Sequence, residues 1–551
     1  MKFQKFLRTA FLVLVILLAF SCEKKKYSRI QLSYTISNKQ KPLEKDNLKN
    51  WHFKDVIIDT ISGISLNRAY DSLLIHKRGK EVVVAIIDMA VDVTHKELEN
   101  HIWVNIDEIP NNTKDDDDNG YIDDVNGWNF LNNKTGENNE FVNYEYTRIL
   151  KKYNSKFQNK TINEVRSEDS LLFVKYKRAL EAHTNRLKYA KEDSTYITNV
   201  SKWKSEAEHT VEKFITIEKQ TLERLDSLKN IYPKNDKLQT AIHRKSNFIK
   251  YGFTDDYIED YKLKAESRIS KLLNTNFDDR KVQGDDSEDI NDLEYGTPNF
   301  NVNTSLLDHG TKIAGIITNI GLNKEIKIIP LAISAYGDEH DKDISLAIRY
   351  AVNNGAKVIN MSFYKTFILN KKWVDDAIRY AEKNNVLIIN CAGNDDFNLN
   401  ENQNYPTDQD HNSSVEISDN FLKIGASGVY LDEKLKYSSS NYGKKEVDLF
   451  APGYKVYTTY PNNENGYMGG TSSGAAITSG VAALIYSYYP NLTASQIKHI
   501  LMDSGLEYTF EVSTPTKEDK NKTTPFNQLS KSGKVLNAYN ALIMADSISR
   551  N

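Results

Sequence analysis

Cysteine and proline are scarce in this sequence, and its positive and negative charges almost cancel. Its 551 residues include 2 cysteines and 11 prolines, and the formal net charge is −3. A chain so close to neutrality has no basic excess for a polyanion, so we expect no nucleic-acid partner. Between Val142 and Lys250 there is no glycine and a single proline, Pro233. A stretch with so few turn residues favours helices over strands and hairpins.

An apolar run at the N-terminus is typical of a targeting segment. A basic stretch over residues 2–8 precedes the apolar core Phe11–Leu18. That core is shorter than the ~20 residues that span a bilayer. Residues Ala19–Cys22 then resemble the lipobox of bacterial lipoproteins, with Ala19 where leucine is usual. The resemblance implies a signal peptide over residues 1–21 and lipidation of Cys22. An ordinary signal peptide cleaved nearby is the alternative.

Lipidation of Cys22 would bear on both redox chemistry and location. It would leave Cys391 as the only thiol of the mature chain, so no intramolecular disulfide could form. The lipobox resemblance implies a bacterial cell envelope protein that a lipid anchors to a membrane, with the outer membrane or cell surface favoured. The protein would face the periplasm or the exterior. Residues 22–78 are interpreted as a tether and an N-terminal extension packed on the next domain.

The first strand-like segment ends in a carboxylate. Val82–Ile87 is almost wholly apolar and β-branched, as a strand buried on both faces should be, and Asp88 follows it. Later, the strand-like runs Ile326–Leu331, Ala356–Ser362 and Val386–Ile389 alternate with helical segments. This rhythm predicts an α/β fold with a doubly wound, mostly parallel sheet and helices on both faces. Chemistry in such sheets lies beyond the carboxyl ends of the strands.

A histidine and a serine stand in contexts that suit nucleophilic catalysis. His309 opens a small apolar helical segment, and Ser472 lies between a Gly-Gly-Thr turn and a run of small apolar residues. Free backbone N–H groups at a helix N-terminus stabilise developing negative charge. A serine hydroxyl also needs a histidine base and a carboxylate that holds the histidine. The order Asp88, His309, Ser472 is that of the subtilisin arrangement.

Five segments resemble, in order, the signatures of the subtilisin-like serine proteases, the subtilases. They are VVVAIIDMAVDVTHKEL, HGTKIAGI, GAKVINMSF, CAGND and GGTSSGAAITSGVAAL. The resemblance implies a subtilisin-like fold and an endopeptidase that acts on protein or peptide substrates. It further implies the triad Asp88, His309 and Ser472, and an oxyanion-hole amide at Asn394. The substrate-binding residues that it implies are Ser362, Phe363, Tyr364 and Gly393.

The sequence departs from the subtilase pattern at several motif positions. Met89 and Ala90 follow the aspartate where Ser or Thr and then Gly are usual, Lys312 replaces a common second histidine, and Ala476 replaces a proline. Tyr364 stands where a glycine lines the specificity groove, which predicts a narrowed or reshaped pocket. No triad group is removed, so we expect an active enzyme of restricted specificity. The rival hypothesis is a catalytically degenerate subtilase that acts as a membrane-tethered binding protein.

An acidic loop follows the first strand. Within the acidic run Asp115–Asp124, the residues from Asp115 to Asp123 fit the first nine positions of a calcium loop, but Asn126 stands where a bidentate Glu is expected. Carboxylates packed so densely repel one another unless a cation neutralises them, so a structural Ca²⁺ is expected. A solvated acidic turn is the alternative. The oxygens of the calcium site would come from Asp115, Asp117, Asn119, Tyr121 and Asp123.

A long insertion separates the aspartate from the histidine, which lie 221 residues apart. Apolar residues recur every three to four positions within residues 142–276, which predicts a helical hairpin or bundle. Helices are expected around Leu171–Leu187, Val200–Leu228 and Tyr257–Leu272, with Thr254 capping the last. Heptads are not sustained, so we expect an intramolecular bundle and a monomer. The catalytic domain would comprise residues 79–141 and 277–546.

Overall fold

The structure is a computed structural model that describes residue 43 and residues 45–322, 325–410 and 415–550. Cys22 and the leader predicted over residues 1–21 lie outside the described residues. Among the helices that the structure describes, none has the length and apolar character to cross a membrane.

A nine-stranded sheet forms the centre of the fold. The strands, in chain order, are β1 (Val82–Asp88), β2 (Trp128–Asn129), β3 (Ile326–Ala332), β4 (Val358–Met361), β5 (Leu387–Cys391), β6 (Gln409–Asp410), β7 (Val415–Glu416), β8 (Phe421–Ser427), β9 (Leu449–Pro452), β10 (Val456–Tyr460), β11 (Glu464–Met468), β12 (Leu506–Glu507), β13 (Glu511–Ser513), β14 (Thr523–Pro525) and β15 (Lys534–Val535). The spatial order of the sheet is β12-β15-β9-β8-β5-β4-β1-β3-β2. Its neighbours are parallel, except that β12 pairs antiparallel with β15 at one edge. The remaining strands form three antiparallel ribbons, β6–β7, β10–β11 and β13–β14.

Helices cover both faces of the sheet. In chain order they are α1 (Leu66–Ser72), α2 (Glu145–Phe157), α3 (Ser170–Glu212), α4 (Leu222–Ile231), α5 (Asp236–Lys250), α6 (Asp255–Ser267), α7 (Thr304–Ile320), α8 (Asp341–Asn353), α9 (Lys371–Lys383), α10 (Thr471–Tyr488), α11 (Ala494–Ser504) and α12 (Ala538–Ser549). Helices α1, α7, α10, α11 and α12 share one hydrophobic core with the sheet. Helices α8 and α9 share a second core on the opposite face. The prediction of a doubly wound, mostly parallel sheet is therefore confirmed.

Strand β1 shows why its sequence is almost wholly apolar. Val84 and Ile86 point into the core shared with α7 and α10, whereas Ala85 and Ile87 point into the core shared with α8. Neighbouring strands β3 and β4 flank β1 on both sides. A strand with both faces and both edges covered carries no polar side chain until it ends, and here it ends at Asp88.

The described part of the N-terminal extension packs firmly on the core that surrounds the sheet. Trp51 is fully buried, and its indole N–H donates to the carbonyl of Tyr454 at 2.9 Å. The hydroxyl of Ser62 donates to the carbonyl of Val429 at 2.7 Å. Ile64 belongs to the main core, so this extension is part of the folded unit and not a loose tether.

Residues 142–276, here called the helical segment, contain helices α2 to α6. Helix α3 alone has 43 residues and packs against α2, α5 and α6. The sequence-based bounds of the first two helices are wrong, since one continuous α3 covers Leu171–Leu187 and the beginning of Val200–Leu228. No glycine or proline interrupts that stretch, so nothing ends the helix before Glu212. A separate α4 begins at Leu222 because the hydroxyl of Thr221 caps it at Arg224 N.

Candidate active site

Asp88 and His309 meet at the carboxyl edge of the sheet. Oδ1 of Asp88 lies 2.6 Å from Nδ1 of His309 and accepts the backbone N–H of Met89 at 2.7 Å. Asp88 is 1% exposed and its Oδ2 has no hydrogen-bond partner, whereas 31% of the His309 side chain is exposed. A carboxylate on Nδ1 selects the tautomer whose Nε2 is free to accept a proton.

Close packing of α7 on the loop after β1 brings the two side chains together. A Cβ at Gly310 would lie 2.3 Å from the carbonyl oxygen of Met89 and 2.6 Å from that of Ala90. Only glycine allows this approach, because any side chain at position 310 would push α7 outward. The hydroxyl of Thr311 also accepts the backbone N–H of Asp92 at 2.9 Å. The helix begins at Thr304, so the prediction that His309 opens it is wrong.

The surroundings of His309 favour its protonated form. Burial of the imidazole is the largest single influence and lowers its pKa, but the neighbouring carboxylates, chiefly Asp88, together raise the pKa above its ordinary value. Asp308 acts in the same direction and Lys312 against it. Nζ of Lys312 pairs with Asp308 at 2.6 Å and lies 4.0 Å from the ring centroid of Tyr460. Lys312 therefore limits the rise in the pKa of His309 without touching the imidazole–carboxylate contact.

Ser472 is the second residue of α10 and is 5% exposed. Its Oγ donates to the backbone carbonyl of Ser362 at 3.1 Å. Within the described residues, no hydrogen bond joins this Oγ to His309. Two of the three predicted groups are therefore in direct contact, and the third is turned toward the end of β4. A serine hydroxyl has one proton to donate, and rotation about its Cα–Cβ bond changes the acceptor.

The amide of Asn394 is oriented by the start of α10. Its Oδ1 accepts the backbone N–H of Thr471 at 2.9 Å and the hydroxyl of Thr471 at 3.2 Å. A backbone N–H can only donate, so it must face the amide oxygen, and Nδ2 is the end that turns away. Asn394 is exposed, and its Nδ2 has no partner among the described residues. Gly470, with φ of 103°, makes room, because a Cβ there would lie 2.8 Å from this Oδ1.

The four residues predicted to bind substrate lie on two adjacent segments that contact each other, here called the two walls. Ser362, Phe363 and Tyr364 follow β4, and Gly393 follows β5. The Tyr364 ring lies directly on Gly393, where a Cβ would be 2.9 Å from the ring atoms Cδ2 and Cε2. Burial of Tyr364 and the nearby charge of Asp395 both raise the pKa of its phenol, which stays protonated at neutral pH.

The structure brings together part of the predicted calcium loop. Carboxylate oxygens of Asp115 and Asp117 lie within 4.8 Å of each other and of Glu108, which the loop pattern does not include. Glu108 is 5% exposed and its Oε2 is buried without a hydrogen-bond partner. Burial raises the pKa of Glu108, and the neighbouring carboxylates Asp124 and Asp117 add to the rise. A cation between these three carboxylates would relieve that repulsion.

The other predicted calcium ligands have different partners. Asp123 accepts the backbone N–H groups of Asn112 and Thr113 at 3.0 and 2.9 Å, so it closes a neighbouring turn. Oδ1 of Asn119 accepts the N–H of Tyr121 at 2.8 Å. The calcium loop pattern therefore differs from the three-carboxylate group that the fold assembles.

Two polar residues hold the two walls in place: Asn390, which no motif includes, and Thr471, which precedes Ser472 in its motif. Asn390 in β5 donates from Nδ2 to the carbonyls of Met361 and Phe363, both at 2.9 Å. The Thr471 hydroxyl accepts the N–H of Gly393 at 3.1 Å. The signal for Asn390 is in the sequence, since an amide in the middle of an otherwise apolar buried strand must be hydrogen-bonded.

The sequence model of the subtilase family matches residues 79–531. This match covers most of the chain and includes Asp88, His309, Asn394 and Ser472. The chain belongs to the subtilase family.

Several characterised subtilases resemble this chain at low identity. The cell wall-associated protease of Bacillus subtilis is 30% identical over 212 residues, which cover 37% of this chain and 22% of that protein. Subtilisin DY of Bacillus licheniformis is 31% identical over 202 residues, which cover 36% of this chain and 66% of that protein. The subtilisin-like protease 1 of Plasmodium falciparum is 27% identical over 310 residues, covering 51% and 42%. The chain thus spans between 22% and 66% of the length of these three relatives.

A solved structure with related sequence is the prenylagaramide maturation protease PagA. It is 26% identical, covers 43% of this chain and 82% of its own, and superposes with a TM-score of 0.33.

Proposed function

We propose that this subtilase is a serine endopeptidase that cleaves peptide bonds through an acyl-enzyme intermediate. The observation that carries the proposal is the 2.6 Å contact between the buried carboxylate of Asp88 and Nδ1 of the half-buried His309. This arrangement supports His309 as the general base and Ser472 as the nucleophile. Membership of the subtilase family supports the same assignment.

The reaction begins when Oγ of Ser472 turns from the Ser362 carbonyl to Nε2 of His309. Oγ attacks the scissile carbonyl carbon, and His309 takes the hydroxyl proton while Asp88 holds the imidazolium. Nδ2 of Asn394 and the backbone N–H of Ser472 stabilise the tetrahedral oxyanion. The C–N bond then breaks, His309 protonates the leaving amine, and water releases the acyl group by the same steps.

The substrate backbone is proposed to lie as an added strand beside Ser362 and Phe363. A substrate N–H would then bond the carbonyl of Ser362, the group that holds the Ser472 hydroxyl in this structure. Substrate binding would therefore compete for that carbonyl and favour rotation of Ser472 toward His309.

The position of Tyr364 supports a restricted substrate class. Its ring rests on Gly393 and so occupies space between the two walls, where the side chain before the scissile bond (P1) would insert. We expect cleavage after glycine, alanine or serine and poor cleavage after phenylalanine. Replacing Tyr364 by glycine should raise kcat/KM for a large P1 residue by about 10–200-fold.

Digestion of a peptide library by wild-type protein and by Ser472→Ala protein tests the proposed function. We expect cleavage by the wild type, confined to small P1 residues, and none by the variant. Wild-type protein that leaves the library intact but still binds peptides would support the degenerate, membrane-tethered binding protein instead. Equal cleavage by both proteins would show that Ser472 is not the nucleophile.

We further propose a structural Ca²⁺ held by Glu108, Asp115 and Asp117. The unpartnered, buried Oε2 of Glu108 supports this site, since a carboxylate buried without a hydrogen bond is costly. When bound, Ca²⁺ would supply only charge neutralisation and cross-linking of the loop that follows β1, with no part in peptide hydrolysis.

The proposed location is a bacterial cell envelope, with a lipid on Cys22 as the membrane anchor. Metabolic labelling with a radioactive fatty acid would test it. We expect label in the wild type and none in Cys22→Ser protein. Unlabelled protein with an N-terminus near residue 22 would support the ordinary signal peptide instead.

A further inference from the structure

We propose that the root of the helical segment, where α2 begins, positions the wall that contains Tyr364 (residues 362–364, the substrate wall). It would do so through a buried ion cluster of Glu145, Lys365 and Asp341. The inference rests on the proposed function, because it concerns what sets specificity in the same groove. Glu145 and Lys365 are positioning residues here, since they act through the wall and not on the reacting atoms.

Lys365 directly follows Tyr364 in the chain, and its side chain is fully buried. Its Nζ lies 2.7 Å from Oδ1 of Asp341 and 3.5 Å from Oε2 of Glu145, and it donates to the carbonyl of Glu339 at 2.7 Å. The lysine backbone is also held, because it exchanges hydrogen bonds with Tyr405 at 2.9 and 2.8 Å. The residue beside the substrate wall is therefore held at both its backbone and its charge.

Glu145 is the first residue of α2 and so belongs to the root of the helical segment. It is 1% exposed and pairs with Arg148 at 2.5 Å. Arg148 also donates to the carbonyls of Asp338 and Glu339 at 2.8 and 3.0 Å. The carbonyl of Glu339 thus accepts from Arg148 of the helical segment and from Lys365 of the catalytic fold.

Asp341 and a hydrophobic contact extend the link along the chain after the wall. Oδ2 of Asp341 accepts the backbone N–H groups of Leu369 and Asn370 at 2.8 and 2.6 Å. Phe367, between them and Lys365, packs in one cluster with residues of α2 and α3. Arg178 of α3 lies 5.3 Å from the ring centroid of Phe367. Residues 365–370 are therefore enclosed by α8 on one side and the helical segment on another.

The returning end of the helical segment is fixed at the same place. Asp279 accepts the backbone N–H of Asn143 at 3.0 Å and lies 3.0 Å from Nε2 of His340. Asn143 in turn donates to the carbonyl of Lys271 at 2.7 Å. Both ends of the segment thus meet beside α8, and Asp279, just beyond the returning end, joins the cluster through Arg148 at 3.4 Å.

The cost of burying an uncompensated charge explains why this cluster would govern the position of Tyr364. Removing one member of a buried ion cluster leaves its charges out of balance, which the structure relieves by moving, by admitting water or by a change of protonation. Residues 362–370 contact this cluster through Lys365, Leu369 and Asn370, and the first part of the same stretch carries Tyr364. A displaced Tyr364 no longer rests on Gly393, and the space for the P1 side chain changes.

The test compares Glu145→Gln with wild-type protein on peptides that differ only in the P1 residue. We expect the ratio of kcat/KM for phenylalanine to kcat/KM for alanine to change about three- to tenfold. Labelling of Ser472 by a small fluorophosphonate should stay within about twofold of wild type, because that probe has no P1 side chain. Glu168→Gln is the control, since Glu168 forms an exposed pair with Arg166 on the same helical segment.

The same measurement in the Tyr364→Gly variant separates a loss of positioning from a general disruption of the fold. If Glu145 acts through the wall, the change in P1 preference should vanish when Tyr364→Gly is already present. Hydrogen exchange gives a readout that needs no activity. Exchange over residues 362–370 should quicken about tenfold in Glu145→Gln and stay unchanged in Glu168→Gln.

Three results would overturn the inference: unchanged P1 preference, an equal loss on all peptides and on labelling, or unchanged exchange over residues 362–370. Failure of the proposed function gives a different pattern, because wild-type protein would then resist fluorophosphonate. In that case the exchange measurement still decides whether Glu145 holds the wall.

Discussion

Two clusters of charged side chains in this molecule both place buried carboxylates against a basic side chain, but they serve different functions. In the first, the Asp88 carboxylate contacts His309, of which 31% is exposed. In the second, Glu145 and Asp341 surround Lys365, whose side chain has no exposure. A proton can reach and leave the first group, whereas the second is sealed. Exposure of one partner therefore distinguishes a site suited to proton transfer from one suited to holding backbone.

The largest effect is expected from changing the pair of Asp88 and His309, here called the open pair because His309 is partly exposed. Asp88→Asn keeps the shape of the side chain but removes the charge that selects the tautomer of His309, so kcat/KM should fall about 10⁴-fold. Asp308→Asn is the matched control, because Asp308 is 46% exposed and pairs with Lys312 instead. Steady-state kinetics on one good peptide gives both values, and a similar loss in both variants would contradict the assigned role of Asp88.

Removing a charge from the sealed cluster of Glu145, Lys365 and Asp341 should lower the stability of the fold. Lys365→Met leaves Asp341 buried without its cation, whereas Glu145 keeps Arg148, and the change should cost about 3–5 kcal/mol of unfolding free energy. Lys372→Met is the control, since Lys372 is 84% exposed and its pair with Asp376 contributes at most about 1 kcal/mol. Urea unfolding followed by fluorescence measures both. Equal, small losses would remove the contrast between sealed and open charge.

Replacing Asn394, a neutral hydrogen-bond donor of the candidate active site, should have an intermediate effect. Asn394→Ala removes the amide that Thr471 turns outward, so kcat should fall about 10²–10³-fold with KM little changed. Single-turnover acylation would measure this step directly. A rise in KM at constant kcat would assign Asn394 to substrate binding.

Calcium adds a third group of charge, in which the compensating cation comes from solution. At about a hundred times its Kd, Ca²⁺ should stabilise the fold by about 2.7 kcal/mol, and a chelator should lower Tm accordingly. Glu108→Gln should lose most of that response, whereas Asp123→Asn should keep it, because Asp123 serves a neighbouring turn. An unchanged Tm on adding chelator to wild-type protein would contradict the site.

The smallest expected effect concerns pH. The pair of Asp88 and His309 should make kcat/KM and the free energy of unfolding change in opposite directions as pH varies. The base must be neutral, so kcat/KM should fall as pH drops through the raised pKa of His309, which lies above about 6.5. The stabilising pair needs the charged imidazole. Its contribution is full below about pH 6.5 and is lost as pH rises through the folded pKa. Parallel trends of activity and unfolding free energy would contradict this account.

The sequence predicts well what local pattern encodes. The apolar run of β1, its terminal Asp88 and the turn before Ser472 predict the sheet and the positions of the candidate residues. The motifs alone predict the contact of Asp88 with His309. Gly310 explains how it forms across a long separation, because its missing side chain lets α7 rest on the loop after β1.

Long-range contacts outside any motif could not be predicted. Glu145 and Lys365 meet only after the sheet and the helical segment are assembled, and neither residue stands in a distinctive local pattern. Glu108 lies upstream of the acidic loop and joins it through folding. The direction of the Ser472 hydroxyl depends on one rotatable bond, which no sequence pattern fixes.

Fluorophosphonate labelling of the folded protein, followed by peptide mapping, tests the central claim most directly. The account predicts a single adduct on Ser472 in the wild type, greatly slowed labelling in Asp88→Asn, and none in Ser472→Ala. Wild-type protein that is folded and unlabelled, or an adduct on another serine, would contradict it.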